Sequence, residues 1–497
     1  MWLSPPPDRL PGSLRPTAAW SLPLDLLAKA QSSHPELQRC KILFISRQFG
    51  DNYDLAADFG PSHAKQRGVR FIYALNLSLV FRGKEGDILR LYEIRIASVF
   101  VFIVLIHIAT FGTMALAQTN QDPISLEGLE EASEQTIRIG AIYNLEGSQS
   151  PLDLPSARGA QLAVKEINSL GGIDGMDIEL ILCDGMSDTA KVGECARDLL
   201  AQNVSAMMGL SDTDMVLAAL SPASEAGIPF VTSGATSPRL AEENEGLFLA
   251  CFSDDAQARA GAEYAFEEMG LETCALLLDG NMEYARLLAG YFKERYLGLG
   301  GEITMEAFLN DSDPSILSRE AANADPEMIY LAAGPEEAKA MIEAMRRAEI
   351  ECPVYGGDSL DSLDLRQEGM GRIVFSTHVL LDENSSRTGG FVRDYRAEYG
   401  YAPENAFSAL GYDTVRLLAE AIDRSGSSNP EAILQSLGNT SEFKGVTGDI
   451  NYQNGSRIPN KDVTMISLID GEIMGSEIVK SVTIPASTID MDSLNST

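Results

Sequence analysis

Between residues 136 and 348 the sequence alternates short β-branched or aliphatic runs with stretches of helical period, and few architectures accept that alternation. The first unit, residues 136–175, sets the pattern. A run holding Ile137, Ile139 and Ile142 reads as a buried strand, residues 144–156 as a loop, and residues 157–170 as an amphipathic helix. A second strand at 178–183 completes a βαβ module, whose long loop leaves the carboxyl end of the first strand, where open α/β sheets hold ligands. Further strand-like runs at 206–209, 228–232 and 248–252 are separated by helical patterns at 190–202 and 215–226. A second series follows: helix 256–269, strand 274–278, helix 284–299, strand 303–308, helix 314–324, strand 328–332 and helix 335–348. The prediction is an α/β protein with parallel sheets covered by helices on both faces. The series is too long for one core, so two doubly wound lobes are expected.

Charge separates this region from what precedes it. The whole chain of 497 residues carries a formal net charge of −34 with a pI near 4.4, which disfavours nucleic acid and anionic lipid surfaces as partners. The first 117 residues carry about +4 and the remainder about −38. At the boundary, Arg90 and Arg95 precede an apolar run at 96–109 that ends in small residues at 113–117. Residues 89–117 therefore read as a signal peptide cut between Ala117 and Gln118, or as a retained anchor, since 96–117 is also long enough to span a bilayer. Either way the acidic part leaves the cytoplasm. No cysteine follows the run to support a lipoprotein anchor. Residues 1–88 begin Pro-rich and lack core-building periodicity, so they read as a non-native or disordered extension, or as a cytoplasmic one ahead of an anchor. A polar, acidic linker occupies 118–135.

Several chemistries are excluded. The histidines are His34, His63, His107 and His378, of which only His378 follows the signal, so no histidine-dependent triad or multi-histidine metal site is expected. The five exported cysteines show no CxxC spacing. Cys183 and Cys195 read as a disulfide of an oxidising compartment or equally as buried thiols. No phosphate-binding glycine loop or dinucleotide fingerprint follows the first strand. Acidic pairs such as Glu130-Glu131, Glu242-Glu243 and Glu336-Glu337 read as solvated faces, and no catalytic residue, cofactor or metal is expected.

Two loops look suited to a small anion. Residues 209–213 end a strand and open a helix, where free amides and the Ser211 and Thr213 hydroxyls suit a carboxylate, although Ser, Thr and Asp also favour plain helix caps. Asp212 and Asp214 work against an anion there unless both turn away. Residues 233–237 repeat the arrangement: Gly234 permits close approach, and the Thr236 hydroxyl can donate and accept.

The stretches IRIGAIYNLEG, ARGAQLAVKEINSLGGIDG and MMGLSDTDMVLAALSPASEAGIPFVTSGATSPRL, then FLACFSDDAQARAGAEYAFEEMG, LLLDGNMEYARLLAGYF, CPVYGGDSLDSLDL and FVRDYRAEYGYAPENAFSALGYDTVRLLAEAI, appear in one order. Together they resemble the solute-binding proteins of branched-chain amino acid ABC transporters, of the type I periplasmic-binding-protein fold, over about 136–477. The resemblance implies two lobes joined by three crossing segments: lobe 1 at 136–253 and 382–444, lobe 2 at 254–381 and 445–478, and a tail at 479–497. It also implies a ligand trapped by hinge closure. Carried over by position, Thr213 and Ser211 hold the ligand's carboxylate. Gly234 offers a carbonyl to its ammonium, Thr236 a hydroxyl and an amide, and Ala235 lies between them. Tyr284 and Asp358 form the opposing jaw, with Asp358 against the ammonium, though Asp358 also suits a plain turn after Gly356-Gly357. Leu152 and Leu154 stand where an aromatic is common and predict an apolar wall. Asp153 and Arg158 in the same stretch leave a polar ligand open.

The function implied is that of a non-enzymatic, extracytoplasmic receptor. It would be monomeric and would deliver an apolar amino acid to a permease whose ATPase subunits are separate chains. The alternatives are a binding protein for another small carboxylate or amide, and a sensory ectodomain on the same fold.

Overall fold

The computed structural model describes residues 136–480 except 453–454. The readings of an N-terminal extension, a signal or anchor and a linker lie outside these residues, as does the tail beyond 480. The described residues fall in one compact unit, and among them no helix is long and apolar enough to cross a membrane.

The first sheet contains β1 (Ile137–Tyr143), β2 (Ile178–Asp184), β3 (Ala206–Gly209), β4 (Phe230–Thr232) and β5 (Leu247–Leu249). It is parallel throughout, in the order β2-β1-β3-β4-β5. Around it pack α1 (Ser150–Ser169), α2 (Thr189–Ala201), α3 (Thr213–Glu225) and α4 (Pro238–Glu242). Successive residues of a strand face opposite ways, so β1 feeds two cores. Ile137, Ile139, Ala141 and Tyr143 join the cluster under α1, while Ile142 joins the one under α2 and α3.

The second sheet holds β6 (Thr273–Leu278), β7 (Glu302–Phe308), β8 (Met328–Ala332), β9 (Val354–Gly356), β10 (Arg372–Thr377), β13 (Val463–Ile469) and β14 (Glu472–Val479), in the order β14-β13-β10-β9-β8-β6-β7. Its helices are α5 (Asp254–Glu263, continued as a π-turn over Tyr264–Glu268), α6 (Glu283–Leu299), α7 (Pro314–Asn323) and α8 (Pro335–Arg347). Here the all-parallel expectation needs correction, because β13 runs antiparallel to β10 and β14 antiparallel to β13. The reversal is an Asp470-Gly471 turn with φ of 47° and 83°, the left-handed pair that a two-residue hairpin requires.

After β10 the chain returns to the first lobe as α9 (Gly389–Tyr399), α10 (Ala406–Ser425), α11 (Pro430–Gly438) and the hairpin β11 (Phe443–Gly445) and β12 (Gly448–Ile450). Helices α1 and α10 touch backbone to backbone. A methyl group on Gly159 would lie 1.7 Å from the Ser408 carbonyl oxygen, and one on Gly411 1.9 Å from that of Ser156. Phe443, Ile450 and Tyr452 are buried in the same core as β1, so the packing places the last return to the second sheet after Tyr452 rather than at 445. Polar residues of the hairpin mask this, since its few apolar side chains are spread over a short irregular stretch.

Cys183 and Cys195 form a disulfide between β2 and α2, while Cys251, Cys274 and Cys352 are free.

Candidate functional site

The carboxyl ends of the two sheets face each other across a small cavity of about 10 Å3, lined by Gln149, Leu152, Ser211, Asp212, Met282, Tyr284, Gly334, Pro335, Asp358, Ser359 and Phe407. That volume is close to what one water needs, so an amino acid enters only when the lobes part.

On the first lobe the chain leaves β3 through two left-handed residues, Gly209 (φ 119°) and Leu210 (φ 57°). A buried leucine in that region stores strain of the kind found at binding loops, and the turn aims the start of α3 into the cleft. The Thr213 hydroxyl is buried without a protein partner, while the buried Ser211 hydroxyl and amide lie against the Asp153 carboxylate. Asp212 caps α3 by accepting from the Met215 amide at 3.0 Å. Burial first, then the neighbouring Asp214 and Asp153, push its carboxyl up to about 7. Asp214 turns away from the cavity and accepts from the Glu283 amide of the other lobe at 3.0 Å.

The second loop lies behind the first. A methyl group on Gly234 would meet the Phe407 ring at 2.7 Å and the Ser211 hydroxyl at 2.8 Å, so glycine here admits protein neighbours. Ala235 is held by its amide, which donates to the Thr232 hydroxyl at 3.0 Å. Thr236 donates its hydroxyl to Asp254 at 2.6 Å. Neither Gly234, Ala235 nor Thr236 lines the cavity, and Thr213 stands just outside it.

On the second lobe Asp358 follows β9 and is 2% exposed. One of its oxygens accepts from the Tyr284 hydroxyl and the Gln257 carboxamide, both at 3.0 Å. The other lies 3.0 Å from Nε2 of His378. Burial holds the His378 imidazole below its ordinary pKa, and Nδ1 has no partner, which together assign a neutral ring donating from Nε2. The ring stacks on Phe252 with centroids 3.9 Å apart and stands edge-on to Phe407. His378 therefore joins the site to a crossing segment.

The expected loop before α1 is shorter than the sequence suggested. The helix starts at Ser150, so Leu152 reaches the cavity from its first turn, while Leu154 points elsewhere. Pro155 removes an amide from inside that helix, and the Pro151 carbonyl it leaves free accepts instead from the Asn405 side chain at 3.0 Å. Asp153 accepts from both the backbone and the side chain of Asn144, at 2.9 and 2.8 Å, and burial pushes its carboxyl up to about 6. Arg158 pairs with Glu404.

Of the residues singled out from sequence, Leu152, Ser211, Tyr284 and Asp358 line one cavity. Gln149, Met282, Gly334, Pro335, Ser359 and Phe407 were missed. Gly334-Pro335 follows β8 directly, and the rule that ligands sit at strand carboxyl ends could have found it. Phe407 comes from a helix far along the chain and had no local signal. Among the described residues no cluster of acids, histidines and cysteines could hold a metal ion.

The sequence profile of the periplasmic binding protein family matches residues 136–472. The chain is 26% identical over 300 residues to Leu/Ile/Val-binding protein homolog 1 of Brucella abortus (strain 2308), covering 59% of this chain and 80% of that one. The substrate-binding protein LivJ of Streptococcus pneumoniae, solved in complex with isoleucine, superposes with a TM-score of 0.65 at 29% identity, over 70% of this chain and all of that one. Leucine-binding protein LivK of Thermotoga maritima gives 0.65 at 25% identity, over 69% and 99%. These relatives are binding proteins and not enzymes. With its two α/β lobes and interlobe cavity, the chain belongs to the type I periplasmic binding proteins, in the branched-chain amino acid group of ABC-transporter substrate-binding proteins.

Proposed function

We propose that the protein is an extracytoplasmic receptor that closes its lobes on a free amino acid with an apolar side chain, branched-chain types foremost, and delivers it to an ABC permease served by separate ATPase chains. One observation carries the ligand class: Asp358 is buried between the lobes with only neutral donors on it, Tyr284, Gln257 and a neutral His378. A buried carboxylate is strongly disfavoured without a countercharge, and the ligand's ammonium supplies one. The unpartnered Thr213 hydroxyl and the Ser211 hydroxyl on the cavity wall, with the amides opening α3, suit its carboxylate. Leu152, Met282, Pro335 and Phe407 give the side chain an apolar surface. Export through residues 89–117 agrees with the oxidised Cys183–Cys195 pair.

A melting-temperature screen of residues 118–497 against the amino acids and a panel of small carboxylates tests this reading. Apolar amino acids should raise the melting temperature, and Asp358→Asn should weaken that binding at least tenfold, about 1.4 kcal/mol, by calorimetry. Stabilisation by an acid lacking an ammonium, with none by any amino acid, would overturn the ligand class. Unchanged affinity in Asp358→Asn would remove Asp358 from the site.

A further inference from the structure

Four helix N-termini meet at the cavity. The residues just before α1, α3, α6 and α8 are Gln149, Asp212, Met282 and Gly334, and all four line it. Asp212 caps α3 with its own carboxyl, and α6 takes its acceptor from Asp214 across the cleft. Helix α8 opens on Pro335, which has no N–H to satisfy. Gln149 carries a side chain able to cap, yet it makes no bond to the first turn of α1. Its backbone amide donates to the Ser187 hydroxyl at 3.0 Å, while among the described residues its carboxamide has no hydrogen-bond partner. The residue is 6% exposed. A buried carboxamide without partners is disfavoured, and one placed on a cavity wall finds its partner in what the cavity holds.

Three glycines show which part of a ligand Gln149 faces. A methyl group on Gly357 would lie 2.4 Å from the Tyr284 hydroxyl, at the end that suits an ammonium, and one on Gly234 meets the Ser211 hydroxyl, at the end that suits a carboxylate. A methyl group on Gly334 would lie 3.2 Å from the Met282 sulfur and 3.6 Å from the Gln149 carboxamide nitrogen. The Glu337 carboxylate is 2.8 Å from the same point but forms no bond with Gln149. Gln149 thus groups with Met282 and Pro335, on the wall left for the ligand's side chain.

We propose that Gln149 is a specificity-determining residue whose carboxamide hydrogen-bonds a hydroxyl on the ligand's side chain, so that the receptor takes threonine at least as readily as valine. This deepens the reading as an amino-acid receptor and rests on it. The rest of the wall, formed by Leu152, Met282, Pro335 and Phe407, is apolar, so its single polar group matches one small neutral counterpart and not a charged side chain. Threonine has the shape of valine with one methyl replaced by a hydroxyl. A wholly apolar wall would favour valine by about a hundredfold, because the hydroxyl would be buried unpaired. A carboxamide, which both donates and accepts, inverts that preference, since valine leaves Gln149 unpaired instead.

Calorimetric titration of the protein with threonine and with valine tests the proposal. Threonine should bind at least as tightly as valine, a comparison that needs no variant. Gln149→Met, of similar length without the carboxamide, should lower the ratio of threonine to valine affinity at least tenfold. Because Gln149 does not cap α1, the ligand-free melting temperature of the variant should not fall, and a loss common to both ligands cancels in the ratio. Tighter binding of valine than of threonine by the unaltered protein overturns the proposal and leaves the amino-acid reading intact, as does a ratio that Gln149→Met does not move. A protein that binds neither of these nor any other amino acid overturns both.

Discussion

Asp212 stands where a receptor for carboxylates is least expected to keep an acid. It lines the cavity beside Ser211, and burial holds its carboxyl near neutrality instead of in the usual range. A ligand carboxylate bound at the start of α3 would raise that pKa further, so binding takes up a proton whenever Asp212 is ionised beforehand. The sign follows from linkage: affinity is full where Asp212 is already protonated and declines as pH rises past about 7, by at most about tenfold per unit. His378 does not confuse the reading, because burial keeps it neutral over this range, and any slope left in an Asp212 variant belongs to Asp153, whose carboxyl burial pushes up to about 6. Calorimetry at pH 6 and pH 8 should show weaker binding at the higher pH. Asp212→Asn should flatten the difference while still capping α3, since asparagine is as good an N-cap as aspartate. A flat profile in the unaltered protein would mean that Asp212 does not sense the ligand.

At the scale of elements, two helices are completed by residues far away in sequence. The N-cap of α6 is Met282, which offers no side-chain acceptor, and the missing acceptor is Asp214 from α3 across the cleft. Arg239 adds an ion pair to Glu283 at 3.1 Å, partly exposed and so of small weight. Since α6 carries Tyr284, closing the lobes caps the helix that bears a jaw of the site. Asp214→Ala should therefore weaken ligand binding about fivefold, roughly 1 kcal/mol for a lost cap, chiefly by faster release in stopped-flow measurements. An unchanged release rate would show that the contact does not hold the closed form. Helix α1 is the second case, continuing past Pro155 because Asn405 takes up the freed carbonyl. These two cases mark the limit of what the sequence makes legible. Strands with dense apolar runs, such as Ala206–Gly209 and Met328–Ala332, are readable to the residue because their own side chains determine them. The start of α1 was not, because two prolines within its first six residues look like a loop until the distant partner is known. The site divides in the same way. Ser211 and Asp358 follow strands and are visible as strand-end loops, whereas Phe407 and Gln257 reach the cleft from helices whose faces only the tertiary fold defines.

Across the whole molecule the lobes are joined by three crossings, at about 250–253, 378–388 and 455–462, and two buried groups bind these together. His378 lies against Phe252, joining the second crossing to the first. Lys461 on the third donates to the Ala250 carbonyl at 2.8 Å and to the Thr447 hydroxyl at 2.7 Å, and that hydroxyl in turn donates to Asp413 at 2.7 Å. The ammonium is nearly dry, and burial lowers its pKa to about 8. Between that value and the ordinary lysine range the unfolded chain keeps a proton that the folded one has shed. The lysine's contribution to stability therefore rises with pH above about 8, as the cost of burying its charge is relieved. Lys461→Met removes that charge but leaves buried acceptors at Ala250 and Thr447, a loss of about 1–3 kcal/mol at pH 7. Denaturant unfolding at pH 7 and pH 9.5 separates the two effects: the variant should be less stable at both, and the gap should widen at the higher pH, where the unaltered protein gains and the variant does not. A gap that stays constant would show that Lys461 keeps its proton in the fold, and a variant as stable as the original at pH 7 would show that the tie between the first and third crossings carries no weight.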